Sequence, residues 1–410
     1  MSEAAPPEAK HAADEQYGIA AAAKDYVDRL KAGDVGSLPV IVGMIFIIIF
    51  FTWQSSAFFT ADNFNNLIQQ MAATAITAIG VVFILLLGEI DLSIGYVGGI
   101  AGVAVAYFQQ PGTDHAYPGI VAVLIAIAIA ALIGAFQGSF VAFIGVPSFV
   151  VTLAGLLAWQ GVIIRWIGDQ GSIGIQDNLI NDIGNYSLPH WMGWLVALLV
   201  TIAFALSVAA GFLSRKRHGL PIGSVPLAIL RTVLVGVVSF VAVGISNHAR
   251  GVPFAGVLIV ALIAFWTFVA QRTTFGRHVY AVGGNSEAAH RSGINVKYIR
   301  VAVFTISGAM AAVGGIIGVS LLNSVDLTVG GNTILLDAIA AAVIGGTSLF
   351  GGRGRVVSAL LGALVISTIG NGLSLIGSAA ATQLIVTGII LLAAVVLDTV
   401  SRRRLAASGR

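Results

Sequence analysis

Two acidic side chains, Glu89 and Asp91, lie inside a long apolar region and are the residues most able to do chemistry. A carboxylate held within a bilayer is costly, and it can serve as a proton or cation site in a transporter. The alternative is structural, because Asp91 or Ser93 can cap the helix that follows, and such caps are common at helix breaks. We expect Glu89, Asp91 and Ser93 to form a helix break, and we keep the ion site as the alternative.

Motifs for enzymatic catalysis are missing from the sequence. It contains no HExxH pair, no GxSxG motif and no GxxxxGK[ST] phosphate loop. It has no cysteine, which excludes disulfides, thiolate metal sites and cysteine nucleophiles, and its seven histidines lack metal-ligand spacing. We therefore expect no enzyme activity, no cofactor and no metal site. Any uphill transport must take its energy from a partner or from an ion gradient.

Composition places these residues in an integral membrane protein. Of the 410 residues, 57% are hydrophobic and 10% are charged, whereas soluble domains carry about 25% charged residues. The 50 glycines suit helices that pack closely in lipid. The net charge of +3 is small and lies mostly in loops, which argues against nucleic acid as a partner.

Twelve apolar segments predict an all-α, polytopic protein with about 10–12 transmembrane or re-entrant helices. Several segments are shorter than the roughly 20 residues that a crossing needs. The pairs 71–88 with 92–108, and 333–349 with 355–371, are therefore candidates for broken or re-entrant helices. The segments are 38–53, 71–88, 92–108, 118–144, 148–167, 191–213, 225–246, 252–270, 300–322, 333–349, 355–371 and 381–398.

The distribution of basic residues predicts the orientation in the membrane. With twelve crossings and the N-terminus inside, the basic stretches 215–217, 271–300, 353–355 and 402–404 all face the cytoplasm. The positive-inside rule predicts this asymmetry. In the cell (inner) membrane we therefore expect a cytoplasmic N-terminal tail over 1–37, a transmembrane domain over 38–399 and a cytoplasmic C-terminal tail over 400–410.

Two stretches share one plan and suggest an internal repeat. Ile76 to Ala101 is an apolar run, then Gly88 to Gly95, then a second apolar run. Leu336 to Val365 repeats this plan around Gly345 to Gly352. Glycine-interrupted helices at matching positions point to the pathway in transporters. The predicted break or cap residues of the second stretch are Thr347 and Ser348.

Neutral amide side chains occur within the apolar segments and could hydrogen-bond a hydroxylated solute weakly. They could equally bridge neighbouring helices, which is their commoner use in membranes. The sequence does not choose between these two roles. The candidate substrate-path residues are Gln70, Gln160, Asn323 and Asn371.

The polar segment 271–300 separates two long hydrophobic regions and carries five Lys and Arg residues. Within it, Ser286 to Ser292 can form a short helix, capped by Asn285 or Ser286 and ended by Gly293. A short helix exposed to the cytoplasm could dock a soluble partner. The alternative is a plain connecting loop.

Residues Tyr280 to Val296, YAVGGNSEAAHRSGINV, resemble the cytoplasmic coupling segment of sugar-importing ABC permeases of the ribose/xylose/galactose family. Three further stretches agree with that family in the same order. They are GEIDLSIG at 88–95, PSFVVTLAGLLAWQG at 147–161 and LDAIAAAVIGGTSLFGG at 336–352. The resemblance extends from about residue 62 to 399 and leaves out the charged N-terminal tail.

Within that family the chain is most similar to the D-xylose type. Permeases of that type have additional membrane sequence before an Arg-Gly-Val-Pro stretch, which is Arg250 to Pro253 here. The additional sequence corresponds to about 214–249.

The resemblance implies the permease subunit of an ATP-driven importer of D-xylose or a related monosaccharide. Such a permease works as a homodimer in the lipid bilayer. A periplasmic or surface sugar-binding protein delivers the sugar, and a separate ABC ATPase subunit receives the short helix. By position in the motif, the ATPase-coupling residues are Gly283, Gly284, Asn285, Glu287, Ala288, Ala289, Arg291 and Gly293.

Two other functions stay open. An ion-coupled secondary sugar transporter, with Glu89 or Asp91 as the ion site, explains the hydropathy and the repeat but gives 271–300 no purpose. A membrane scaffold or receptor subunit without transport activity leaves the glycine-interrupted helices unexplained.

Overall fold

The computed structural model describes residues 38–220 and 224–407. The predicted N-terminal tail over 1–37 and the last three residues of the chain lie outside the described residues. The described part contains fifteen α-helices and two three-residue strands. The first eight helices are α1 (Leu38–Gln54), α2 (Ala61–Leu86), α3 (Ile94–Phe108), α4 (Gly119–Ser139), α5 (Ser148–Ile167), α6 (Asn178–Asn185), α7 (His190–Arg217) and α8 (Val225–His248). The others are α9 (Phe254–Arg272), α10 (Thr274–Gly284), α11 (Ser286–Arg291), α12 (Val296–Leu322), α13 (Asn332–Ile344), α14 (Val357–Leu375) and α15 (Ala380–Ala407), and the strands are β1 (Ser172–Gly174) and β2 (Ser324–Asp326).

Each of the twelve predicted apolar segments coincides with a helix. Among the described residues, eight helices are long and apolar enough to span a membrane. Four shorter apolar helices complete the set, and the all-α, polytopic class is confirmed. The long helices are α2, α4 with the π-helical turn Phe140–Ile144 that follows it, α5, α7, α8, α9, α12 and α14, and the shorter ones lie in α1, α3, α13 and α15.

One expected short helix is full length. The sequence predicts a short, broken segment over 71–88, but α2 begins at Ala61 and has 26 residues. Its first turns are polar, so hydropathy places its start too late. Thr60 accepts a hydrogen bond from the Asn63 N–H at 3.2 Å and fixes the start of the helix. The partner segments α3 and α13 are short, with 15 and 13 residues.

The helices form two compact units. One unit has α7 and α8 as its main described part; these helices run antiparallel, with the Asn247 side chain donating to the His190 carbonyl at 3.2 Å. This helix pair contains the additional sequence expected at about 214–249. The other unit comprises residues 37–187 and 253–399.

In the larger unit, α12 is the central helix and packs against α2, α3 and α4. Its glycines bring the backbones into direct contact. A Cβ atom on Gly308 would overlap the Ala130 carbonyl of α4, and one on Gly315 would overlap Gly98 of α3. Lipid tails are as apolar as leucine, so helices in a membrane gain stability from such close packing rather than from leaving water.

The loops of the larger unit collect at its two ends. At one end, β1 pairs with β2 in antiparallel register, with Ile173 opposite Val325. This pairing joins the ends of α5 and α12. At the other end, the loop 87–93 meets the loop 345–356 and the end of α10. The two predicted glycine breaks are therefore neighbours in space, while the internal duplication itself stays a prediction.

We expect Gly308→Val to destabilise the protein, because the new side chain meets the Ala130 carbonyl at a backbone contact that cannot relax easily. Overpacking of this kind costs about 1–3 kcal/mol. The matched control is Gly161→Val on α5, where a Cβ atom meets nothing within 4 Å. Thermal unfolding of the purified variants in detergent measures the difference. Equal melting temperatures for the two variants would show that the α4–α12 contact is not tight.

Candidate functional site

The short helix expected in the polar segment is present as α11. The Asn285 side chain caps it by accepting a hydrogen bond from the Ala288 N–H at 2.9 Å. The helix ends at Gly293, whose φ of +84° belongs to the left-handed region that favours glycine. The Ile294 N–H then donates back to the Ala289 carbonyl at 3.1 Å. Local signals alone were enough to predict this helix and its cap.

One face of α11 is exposed and carries an ion pair. The Arg291 Nε lies 3.0 Å from the Glu287 Oε1, and the two side chains are 77% and 68% exposed. Ala288 beside them is also exposed. Such surface pairs contribute at most about 1 kcal/mol, so both charges can be redirected to a partner. Ala289 is buried within this chain and anchors the helix instead of offering a contact surface.

Two glycine-containing loops meet Gly283 at the end of α10, just before α11 in the chain, and we call this meeting point the junction (Leu86 to Gly88, Phe350 to Gly352 and Gly283). A Cβ atom on Gly283 would overlap the Leu86 carbonyl. The Gly352 N–H donates to that same carbonyl at 2.9 Å. Gly88 and Gly351 both have positive φ and also lie in contact. The coupling segment therefore rests on both glycine breaks at once.

Two side-chain contacts reinforce the junction. The Arg300 Nε, in the second turn of α12, lies 3.2 Å from the Glu89 Oε1. These side chains are only 29% and 14% exposed, so this pair is shielded from water better than the pair on α11. The Tyr280 hydroxyl of α10 donates to the Gly354 carbonyl at 2.9 Å. Burial raises the pKa of Tyr280, so its hydroxyl keeps the proton that it donates.

Asp91 is buried and holds together the start of α3. Its Oδ1 accepts hydrogen bonds from the Ser93 N–H at 2.9 Å and from the Ser93 hydroxyl at 2.7 Å. Its Oδ2 accepts from the Ser307 hydroxyl of α12 at 3.3 Å. The Ser93 hydroxyl also lies 3.0 Å from the Gln137 side-chain amide of α4. Asp91, rather than Ser93, therefore satisfies the backbone at this break.

At the second glycine break, Gly345 to Gly352, the polar side chains stabilise the turn and do not cap a helix. The Ser348 hydroxyl accepts from the Phe350 N–H at 3.1 Å, and the Ser348 N–H donates to the Arg353 carbonyl at 2.9 Å. These bonds shape the turn itself, and no side chain caps the following helix α14. Thr347 is buried beside Ser348, where its N–H donates to the Ala342 carbonyl at 3.0 Å.

Of the four amides proposed for the substrate path, two come together and two do not. Asn371 of α14 donates to Gln70 of α2 at 3.2 Å and exchanges two hydrogen bonds with Asn63. This cluster bridges two helices. Asn323 has a φ of +52° and ends α12 in the left-handed conformation. Gln160 is half-buried on α5. Their role in a path stays a prediction, and this geometry does not favour it.

A cavity of about 240 Å³ lies elsewhere in the same unit, between α3, α12 and the chain from Ser324 to Ile334. None of the four candidate amides lines it. The sequence signal that marks it is the spacing of small residues on two helices, Gly95, Gly98 and Gly99 on α3 and Gly315 and Gly318 on α12. Without knowledge of which helices are neighbours, these glycines cannot be assigned to one site.

The many apolar helices of the described residues define a multi-pass membrane protein. A profile of the family described as branched-chain amino acid transport system / permease component matches residues 63–395. The chain therefore belongs to this family of permeases, and its class is transport rather than enzyme catalysis.

Individual relatives agree with this assignment. The xylose transport system permease protein XylH of Escherichia coli (strain K12) is 38% identical over 380 residues, which cover 92% of this chain and 94% of that protein. XylH of Haemophilus influenzae is 34% identical over 382 residues, covering 92% of this chain and all of that protein. The ribose import permease protein RbsC of Escherichia coli (strain K12) is 32% identical over 359 residues, covering 87% and 92%. No solved structure matches the chain significantly.

We expect Arg300→Glu to destabilise the protein, because it places a second carboxylate beside the shielded Glu89. The cost should be about 1–3 kcal/mol, which is below that of breaking a fully buried pair. The double variant Glu89→Arg with Arg300→Glu restores opposite charges and should recover most of the loss. Thermal unfolding of the two single variants and the double variant measures this. A double variant less stable than both single variants would contradict a direct pair.

Proposed function

We propose that this chain is the membrane-spanning permease subunit of an ATP-driven importer of D-xylose or a related monosaccharide. The observation that carries the proposal is the junction, where Gly283, at the end of α10 and just before the exposed helix α11, packs against both glycine breaks of the membrane region. A soluble ATPase that moves α11 would thereby move both breaks together. The relatives supply the substrate class, since they are named xylose and ribose permeases.

The junction end of the larger unit faces the cytoplasm in this proposal. Basic residues concentrate there, and the positive-inside rule assigns such an end to the cytoplasmic side. The opposite end, with β1 and β2, then faces outward and receives the sugar from an extracytoplasmic binding protein. Twelve crossings bring both chain termini to the cytoplasm. The basic residues at the junction end are Arg272, Arg277, Arg291, Lys297, Arg300, Arg353 and Arg355.

The exposed face of α11 is the surface offered to the ATPase subunit. Glu287 and Arg291 present one negative and one positive charge there, and Ala288 between them leaves room for a partner side chain. Gly283 and Ala289 act differently, because they hold the helix against its own chain. Glu287, Ala288 and Arg291 therefore set the affinity for the ATPase. Gly283 and Ala289 pass the motion of the ATPase to the membrane helices.

The junction explains how such motion reaches the membrane helices. Gly283 touches the end of α2 directly, and Arg300 ties the second turn of α12 to Glu89 at the first break. Tyr280 ties α10 to the second break. Packed interfaces of this kind move as rigid pieces rather than deforming. A second copy of the permease would form a homodimer with this chain and complete the pathway between the two copies. Rocking of the packed helices would then give alternating access.

The ion-coupled alternative finds no support in the site or in the relatives. Both oxygens of Asp91 accept hydrogen bonds from serine side chains or backbone, and Glu89 pairs with Arg300. Each carboxylate thus has a structural partner.

We expect sugar uptake by proteoliposomes that contain this chain and its ATPase to require both ATP and the binding protein. The liposomes hold ATP inside, and binding protein loaded with labelled D-xylose is supplied outside. A protonophore and a sodium ionophore should leave the rate unchanged, because no gradient drives the step. Uptake that is abolished by the ionophores and independent of ATP would instead establish an ion-coupled transporter.

We expect Glu287→Arg to uncouple ATP hydrolysis from uptake without harming insertion or folding. The new charge repels Arg291 by only a few tenths of a kcal/mol on an exposed helix, but it reverses the charge offered to the ATPase. The matched control is Asp114→Arg, which reverses an exposed acidic residue in a loop at the other end of the unit. ATPase activity and uptake are measured for both variants. Wild-type uptake by Glu287→Arg would remove Glu287 from the coupling surface.

A further inference from the structure

The cavity beside β2 is enclosed by a chain segment that turns back between the helices. After β2, Gly330 packs against the backbone of Gly95 and Gly99 on α3. The helix α13 therefore begins beside α3, and the cavity is lined by Gly331, just before the helix, and by Thr333 in its first turn. With 13 residues α13 is too short to span a bilayer alone. Short helices that start inside a membrane domain are a common way to build a solute site in transporters.

One buried polar side chain in the cavity wall makes no hydrogen bond within the described residues. Thr77 of α2 lines the cavity and is only 2% exposed. Its hydroxyl makes no hydrogen bond with any other described residue. A hydroxyl without a partner can donate a hydrogen bond to a solute or a water in the cavity and accept one from it. Seven of the 19 residues that line the cavity are glycines, so a ring-shaped solute can approach the backbone closely at those positions.

The mouth of the cavity carries one fixed carboxylate. The Asp326 Oδ1 accepts hydrogen bonds from the Thr328 N–H at 2.8 Å and from the Thr328 hydroxyl at 2.6 Å. These bonds hold the pKa of Asp326 below its usual range, so the carboxylate is ionised at neutral pH. The other oxygen, Oδ2, makes no hydrogen bond within the described residues and can accept one from a solute.

These groups select the chemical class of the solute. The carboxylate of Asp326 repels anions at the mouth. Among the described residues, no group of three acidic or histidine side chains is placed to hold a metal ion. Hydroxyl groups that donate and accept, from Thr77, Thr328 and Thr333, suit a neutral polyhydroxylated molecule. The volume of about 240 Å³ suits one sugar ring rather than a larger ligand.

We propose that this cavity is a monosaccharide subsite, with Asp326 and Thr328 at its mouth and Thr77 at its inner end. Asp326 accepts hydrogen bonds from sugar hydroxyls, and Thr77 supplies a donor and an acceptor to the innermost one. The proposal rests on the proposed function for its ligand class, but its site is defined by this chain alone.

The absence of native cysteine allows a direct test of occupancy. In Gly318→Cys the new side chain projects into open space, because Gly318 lines the cavity and a Cβ atom there meets nothing within 4 Å. D-xylose or D-ribose should slow its alkylation by a small water-soluble thiol reagent. The rate should fall about tenfold when the sugar is tenfold above its dissociation constant, because only the empty fraction reacts. The control is Thr113→Cys, in a loop that does not line the cavity.

Protection of Gly318→Cys without protection of Thr113→Cys supports the subsite. This measurement requires neither the ATPase nor the binding protein. An unchanged rate at saturating amounts of both sugars overturns it. If Gly318→Cys does not react at all, the same measurement on Thr328→Cys at the mouth decides. Lack of protection there, or lack of reaction at both positions, also overturns the proposal.

Measurements of ATP-dependent sugar uptake distinguish a failure of the subsite proposal from a failure of the proposed function. Gly318→Leu fills the cavity and should lower ATP-dependent uptake roughly tenfold or more, which corresponds to about 1.4 kcal/mol or more of lost interaction. The control Gly161→Leu makes the same exchange at an exposed position of α5, also with nothing within 4 Å of the new Cβ, and should keep wild-type uptake. Wild-type protein without ATP-dependent uptake contradicts the importer, whereas undiminished uptake by Gly318→Leu contradicts only the subsite.

Discussion

The close backbone packing of α12 is the constraint on which the rest of the larger unit depends. In lipid, burial of leucine or valine between helices brings little gain over contact with acyl chains. Helices must therefore be held by direct backbone contact and by buried hydrogen bonds. Gly308, Gly314 and Gly315 provide the contacts to α4, α2 and α3. The Ser307 hydroxyl adds a buried hydrogen bond to Asp91 at the start of α3.

This packing makes α12 a rigid connection between two distant places. Its second turn holds Arg300, which pairs with Glu89 at the junction, and its last turns hold Gly318 and Val319 in the cavity wall. A helix of 27 residues extends about 40 Å at 1.5 Å per residue. Because a close-packed helix shifts as a body rather than bending gradually, a displacement at the junction also displaces one wall of the cavity. The α2 helix also connects the junction to the cavity, since it contains Leu86 at the junction and Thr77 in the cavity wall.

Local signals in the sequence predicted the parts of the site that depend on neighbouring residues. The cap of α11 by Asn285 and the pair of Glu287 with Arg291 follow from spacings of three and four residues. The contact between Glu89 and Arg300 joins residues far apart in the chain, and no periodicity reveals it. The start of α2 was missed for a related reason. Its polar first turns are stabilised by partners on other helices, such as Asn371, which hydropathy does not measure.

Asn371 and Thr77 differ in whether their side chains already have hydrogen-bond partners, and this difference affects how readily each could bind a transported sugar. Asn371 already shares hydrogen bonds with Asn63 and Gln70, so a sugar would have to break those bonds before it gained new ones. Thr77 has no such bonds to lose. A solute in transit must be bound weakly enough to leave, which favours few contacts over many. The unpartnered Thr77 hydroxyl meets that requirement more readily than a saturated amide cluster, while a role of Gln70 and Asn371 in the path stays a prediction.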